Sequence, residues 1–456
     1  MLFMKQFMLT VMKRTILWAT VVLFLTCLLL VSFVPFSKAD FEEPERQWDE
    51  TYGPLEGYSV AQTFDGGYIV AGQQADFREF QPHLLSGWEN KTAVIVKVDS
   101  SGNLKWKKTY NVAAEGGSHA DFVVQTADSG YTIIGLQQKP DKKQIVFVIK
   151  TDSNGDIQWN TTIVWPESTK LCEGIQTTDG CYILAGVTRG DGPDSSSWIL
   201  KVDERGNSLW NRTFGDSTNK VFAVTEANDG GYLIAGNWKN DCWFVKMDVN
   251  GNLQWNQTYD LQFGDSSGHY VVNSIVQAVD GGYIFAGDND YRAFIVKTDS
   301  QGIMDWNRSY TDETVFRSIV QSNDGEGYFA VGDFSVPDNQ SPGALFARLD
   351  SSGNLLWNST YRNSKSTWAS NTAHSIIRTS DNGYAVAGTL EDNIWLVKFA
   401  PDYVAPPDDN TLPDSSDDLP EDVSVFTEAW FVTTIISAVI VGASLVIYFK
   451  KIKPQH

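Results

Sequence analysis

Three histidines mark places where chemistry could begin: His119 in "GGSHAD", His269 in "SGHYVV" and His374 in "TAHSII". Imidazole serves as metal ligand and general base, so their equivalent settings raise the question of a metal site. Acidic residues such as Asp121, Glu173 and Asp288 read as loop carboxylates from which a glycosidase pair could be drawn. Trp88, Trp165, Trp238 and Trp368 fall in variable loops, where a flat ring beside Asp, Asn and Gln side chains suits stacking on a sugar. Each of these residues also has a plainer reading. The histidines fall in the second, fifth and seventh repeats, widely spaced round a ring, and read as separate surface residues, and each tryptophan can cover its own loop. "DSNGD" (Asp152 to Asp156) has its glycine misplaced for a calcium loop, and "RGD" at Arg189 is three common residues in a loop. There is no G-x-S-x-G, H-E-x-x-H, phosphate loop or dinucleotide fingerprint, so no catalytic residue, metal or cofactor is assigned.

The elements that must position these residues repeat. "DGGYIVAG" at Asp65 returns at Asp128, Asp179, Asp229, Asp280, Asp324 and Asp381, within a unit of about 50 residues. One unit predicts four short strands, A (Ser274 to Ala278), B (Tyr283 to Ala286), C (Ala293 to Thr298) and D (Ile303 to Tyr310), separated by Gly/Asp/Asn turns. Four antiparallel strands repeated seven times predict an all-β, seven-bladed β-propeller over residues 40–400. The last copy stops after strand C, and "RQWDETYGP" (Arg46 to Pro54) matches strand D, so the N-terminal strand is expected to close the ring. Trp48, Trp106, Trp159, Trp210, Trp255, Trp306 and Trp357 share one place in strand D and read as core between blades. Lys97, Lys150, Lys201, Lys246, Lys297, Arg348 and Lys398 share one in strand C and are expected to snorkel between blades.

The unit, with its "SIVQ", "DGGYI-x-AG", "VK-x-D-x-x-GN" and "WN-x-T" segments, resembles the repeats of cell-surface β-propeller proteins common in archaea and some bacteria, distantly like quinoprotein-dehydrogenase-like propellers. The resemblance covers Arg46 to Ala400 and implies the fold; propellers host binding modules and enzymes alike.

The ends and the charge bound the setting. Residues 1–39 read as a signal peptide, with an uncleaved anchor as the rival reading. Residues 429–449 carry no charge and are long enough for a transmembrane helix; 401–428, with nine acidic residues and five prolines, read as a stalk. Lys450, Lys451 and Lys453 then place the 450–456 tail in the cytoplasm and the propeller outside the cell. A net charge of -21 argues against a nucleic-acid partner. With Cys27 in the signal, Cys172, Cys181 and Cys242 remain, an odd number that cannot form a disulfide framework. Asn90, Asn160, Asn211, Asn256, Asn307, Asn339 and Asn358 each open a glycosylation sequon, five of them directly after the strand D tryptophan. The combined reading is a membrane-anchored extracellular binding, adhesion or envelope module, with extracellular polysaccharide or envelope proteins as partners; the alternative is a glycan-active ectoenzyme, a hydrolase or lyase.

Overall fold

Each repeat folds because its two turns are chemically specified. In the first, Thr63 N donates to Gly67 O at 2.9 Å and Gly66 N to Thr63 O at 2.8 Å, while Gly66 adopts φ +77°, a left-handed conformation that glycine enters without steric cost. Asp65 holds the turn by accepting Gly67 N at 3.1 Å. In the second, Asp99 Oδ1 accepts Ser101 N at 3.0 Å and Asn103 N at 2.9 Å. An aspartate that replaces lost backbone partners makes each reversal local.

The computed structural model describes residues 44–401, apart from 76–90, 113–115, 142, 164–167, 190–195, 215–218, 240, 262–269, 324, 337–339 and 363–370. The signal, stalk and membrane segments read from the sequence lie outside the described residues, among which no helix is long and apolar enough to cross a membrane. The strands form seven four-stranded antiparallel sheets. Blade five consists of Tyr270–Gln277, Tyr283–Asn289, Arg292–Thr298 and Met304–Asp312. Its strand A begins four residues before the expected Ser274, because a β-bulge interrupts the alternation there. Arg46–Tyr52 pairs antiparallel with Asn393–Phe399 and completes the last sheet, as expected. Trp395 Nε1 donates to Asp49 Oδ1 at 2.5 Å, and Ala400 N to Glu45 O at 2.8 Å, tying the two ends of the ring together.

Burial follows position in the blade. Strands B and C are covered on both faces by adjoining blades, so Ile95, Phe244, Phe285 and Val386 are fully buried; the outermost strands alternate between partly buried and exposed residues. Tryptophans of strand D pack edge-on against a tyrosine of the next blade, as in Trp48–Tyr68 and Trp106–Tyr131, with ring centroids 5.6 and 5.8 Å apart. The repeated Gln of "SIVQ" also joins blades: Ser380 N donates to Gln62 Oε1 at 2.8 Å and Val279 N to Gln321 Oε1 at 2.8 Å.

The strand C lysines differ from expectation except at Lys201, whose Nζ also reaches the Tyr232 hydroxyl of the next blade at 2.9 Å. Rather than snorkelling between blades, Lys246 Nζ is buried and reaches Asp229 Oδ2 of its own first turn at 2.8 Å and the Met247 carbonyl at 3.1 Å. Lys97–Asp65, Lys150–Asp128, Lys201–Asp179, Lys297–Asp280 and Lys398–Asp381 repeat that pairing. Burying an ammonium demands a counter-charge, and the turn aspartate supplies it. Cys172, Cys181 and Cys242 are thiols, without disulfides.

Candidate functional site at the axial mouth

Every strand A carries a bulge at the same place, and the bulge explains a repeated glycine. Registers shift at Tyr58, Asp121, Cys172, Phe222, Asn273, Arg317 and His374, each skipped by the register between strands A and B. The bulge pushes a strand A carbonyl across strand B, where the last glycine of "DGGYIVAG" lies. A Cβ on Gly72, Gly236, Gly287 or Gly332 would overlap the carbonyl of Glu56, Lys220, Val271 or Val315. An extra residue in one strand also re-aims its side chain, which is why bulges gather at functional sites.

The seven bulge residues are all different. In ring order Asn273, Arg317, His374, Tyr58 and Asp121 form a continuous polar arc, and Cys172 and Phe222 complete the circle with an apolar one. They lie near the middle of strands A, where strands A of adjoining blades face one another. A sequence signal did exist: each residue stands immediately before the segment equivalent to "SIVQ".

The arc is cross-linked. Tyr58 donates to Glu56 Oε2 at 2.6 Å, and Gln73 Nε2 donates to the same oxygen at 2.5 Å. Burial and the neighbouring carboxylates of Glu56 and Asp121 push the Tyr58 phenol well above its ordinary range, so it remains a donor. On either side His374 and His119 present rings at 5.4 and 6.0 Å from that of Tyr58, both edge-on. His119 Nε2 is 3.1 Å from Asp121 Oδ1, while Asp121 Oδ2 is buried without a hydrogen-bond partner. His374 is held neutral, at about 3, by burial and then by the Arg317 cation. Arg317 Nε donates to Asp333 Oδ2 at 2.7 Å, and its terminal nitrogen approaches the same atom at 2.5 Å. Asn273 Nδ2 donates to Asp288 Oδ1 at 3.1 Å and to Phe316 O of the next blade at 2.9 Å. Burial raises both Asp288 and Asp333, and hydrogen bonds to Asn273 and Arg317 hold them back. The arrangement gathers a neutral imidazole, a phenol, a guanidinium and carboxylates along adjoining strands A and B, with the phenol proton held by Glu56 and the guanidinium by Asp333.

The residues singled out from sequence divide accordingly. Two of the three histidines are not separate: His119 and His374 flank one tyrosine. His269, Trp88, Trp165 and Trp368 lie outside the described residues. Trp238 is not in a loop but ends a strand, Tyr232–Trp238; it is 42% exposed at the mouth end, with Lys239 Nζ 5.8 Å above its ring. Asp121, Glu173 and Asp288 are strand residues, because strand A and strand B run further toward the mouth than their alternation suggests. Glu173 joins blades by accepting Val224 N at 2.6 Å, where Ser274 and Ser318 accept Ile319 N and Ile376 N in other blades. Burial raises its carboxyl to about 8. Among the described residues no group of three or more His, Cys, Asp or Glu is placed to hold a metal ion. Of the sequon asparagines, Asn160, Asn211, Asn256 and Asn358 are exposed, Asn307 is half-buried, and Asn90 and Asn339 lie outside the described residues.

No protein-family model matches the chain, and no curated protein matches it. Solved β-propellers do. A catalytically inactive virginiamycin B lyase from Staphylococcus aureus, solved with quinupristin, is 11% identical over 77% of this chain and 99% of its own, with a TM-score of 0.51. Sqt1 from Chaetomium thermophilum, bound to the N-terminus of ribosomal protein L10, is 12% identical over 78% of this chain and 100% of its own, at 0.49. The Dos1 propeller is 10% identical over 78% and 96%, at 0.46. The likeness to the lyase shows the propeller fold alone, and a fold of this kind does not carry a function with it.

Proposed function

We propose that the protein is a surface-anchored binding module that takes a hydroxyl-rich ligand, an extracellular polysaccharide or a glycan of an envelope protein, at the axial mouth of its propeller. The observation that carries this reading is the divergence of the bulge residues, five of them polar and contiguous, on a scaffold that otherwise repeats itself. Fixed donors and acceptors beside an apolar arc suit a sugar, which offers hydroxyls on its rim and C–H groups on its face; Trp238 adds an exposed ring at the same end. The apolar 429–449 segment and the lysines after it support anchoring with the propeller outside. Strand Asn393–Phe399 runs away from the mouth, so the chain leaves its last blade at the opposite end.

A glycan array probed with residues 40–400 tests the reading. On a glycan retained by the parent, Tyr58→Ala and Arg317→Met should each weaken retention about tenfold or more, equivalent to about 1.4 kcal/mol. Retention unchanged in both variants refutes it. The ectoenzyme reading draws on half-buried Asp288 and buried Asp333, carboxyls that share the field of Arg317. It requires release of new chain ends from the bound glycan, abolished by Asp288→Asn.

A further inference from the structure

The outer edge of the ring carries a second pattern. Strand D ends each sheet and leaves one row of backbone N–H and C=O groups unpaired within it, a template on which another sheet could add. Asn160, Asn211, Asn256, Asn307 and Asn358 occupy one register in five consecutive blades, opposite Ile149, Leu200, Val245, Val296 and Ala347. Side chains alternate along a strand, so each asparagine shares its face with the hydroxyl two residues on, the second element of its sequon. Asn160 with Thr162, Asn211 with Thr213, Asn256 with Thr258 and Asn358 with Thr360 are all exposed, while the preceding tryptophans are partly buried. Asn307 differs, being half-buried with its amide 3.3 Å from Met304 Sδ.

The two remaining blades adjoin one another and lack the asparagine. Asp49 and Lys107 stand at that register, pairing with Val397 and Val96. Their strands carry three charged residues each, Arg46, Asp49 and Glu50 in one and Lys105, Lys107 and Lys108 in the other, against Arg212 alone in Ser208–Phe214 and none in Ile157–Ile163, Leu253–Tyr259 and Leu355–Tyr361. Lys108 reaches Asp156 of the next blade at 2.6 Å. Charged side chains, lysine above all, are a common way to keep edge strands from pairing.

We propose that Asn160, Asn211, Asn256 and Asn358 carry N-linked glycans that guard the outer edges of their blades, charge serving the same purpose on the two blades without them. A glycan there points away from the inter-blade core and displaces no packed side chain, while its bulk keeps a second sheet from approaching the edge. The inference rests on the proposed placement of the propeller outside the cell and is independent of the ligand at the mouth.

The test uses the full chain from its own membranes. Protease added to intact cells reports placement, and glycopeptide mass spectrometry reports occupancy. The expected result is cleavage from outside, added glycan mass on all four asparagines and lower occupancy at Asn307. The variant with all four asparagines changed to Gln should keep its circular dichroism spectrum yet self-associate in sedimentation at concentrations where the parent is monomeric. Cleavage from outside with all four asparagines bare overturns the glycan collar and leaves the placement standing. Protection until lysis overturns the placement and the collar with it. Modified asparagines with a monomeric variant overturn the guarding role.

Discussion

At the turn end of the blades one ion pair recurs in six of them, Lys97–Asp65 being the first; at the mouth end no two bulge residues are alike. Both ends belong to the same strands, so the difference lies in what each is asked to hold. The turn end must bury an ammonium and close a hairpin, and the same pair answers that demand in blade after blade. At the mouth the bulge makes the backbone geometry and leaves the bulge side chain free to differ. Divergence inside a repeat therefore separates groups that build the blade from groups available to a ligand.

The largest expected effect breaks the mouth end through its backbone. Gly287→Ala places a methyl group on the Val271 carbonyl, whereas Gly230, at φ +75° in a first turn, has nothing within 4 Å of a new Cβ. Alanine at 287 should cost about 3 kcal/mol or more, and at 230 about 1 kcal/mol, the ordinary cost of positive φ for a residue with a Cβ. Urea denaturation of residues 40–400 measures both; equal losses would remove the steric account of the repeated glycine.

A smaller effect separates stability from binding. Lys246→Met removes a buried ammonium but leaves Asp229, more than half exposed, open to water, so the loss should be about 1–2 kcal/mol rather than that of a fully buried pair. Ligand retention should stay at the parent level, in contrast to Arg317→Met. Loss of retention with Lys246→Met would mean that the two ends are not independent.

A third comparison is a pH profile with opposite slopes from the two ends. Asp65 and Asp128 are lowered to about 2 against burial, by hydrogen bonds from the lysine, the turn hydroxyl and the turn backbone together with the lysine charge. Their contribution is present above the unfolded value of 3.8 and is lost as pH falls toward about 2. Glu173, raised from 4.5 to about 8, acts the other way: the unfolded chain ionises first, so stability declines as pH rises between those values and levels off above. Glu173→Ser, which installs the hydroxyl found in other blades, should flatten the alkaline limb and leave the acid limb intact. Stability measured from pH 2 to 9 checks this, and an unchanged alkaline slope would remove Glu173 from the account.

Much of the fold was legible in the chain. The turn aspartates and glycines, the strand D tryptophans and the match of Arg46 to Pro54 to a missing strand each act through a local or strictly repeated rule. The site was legible only in fragments. His119 and His374 were visible as histidines at strand entrances, but their meeting across Tyr58 required the first blade to lie between the second and the last. Arg317, Tyr58 and Asn273 looked like ordinary strand residues because alternation along a strand gives no warning of a bulge. The lysine misreading has a similar origin: a stem that could snorkel and one that turns back to its own hairpin look the same until the partner carboxylate is placed.

Periodicity and turn chemistry along the chain decide that four-stranded units form, how many there are and which segment closes them, because those interactions join residues near in sequence or identical from unit to unit. Which side chains share the axial mouth is decided only when the ring closes. Closure brings Asn273, Arg317, His374, Tyr58 and Asp121, spread over more than two hundred residues, into one arc, and converts a bulge that would merely bend a lone strand into a place where they can act together.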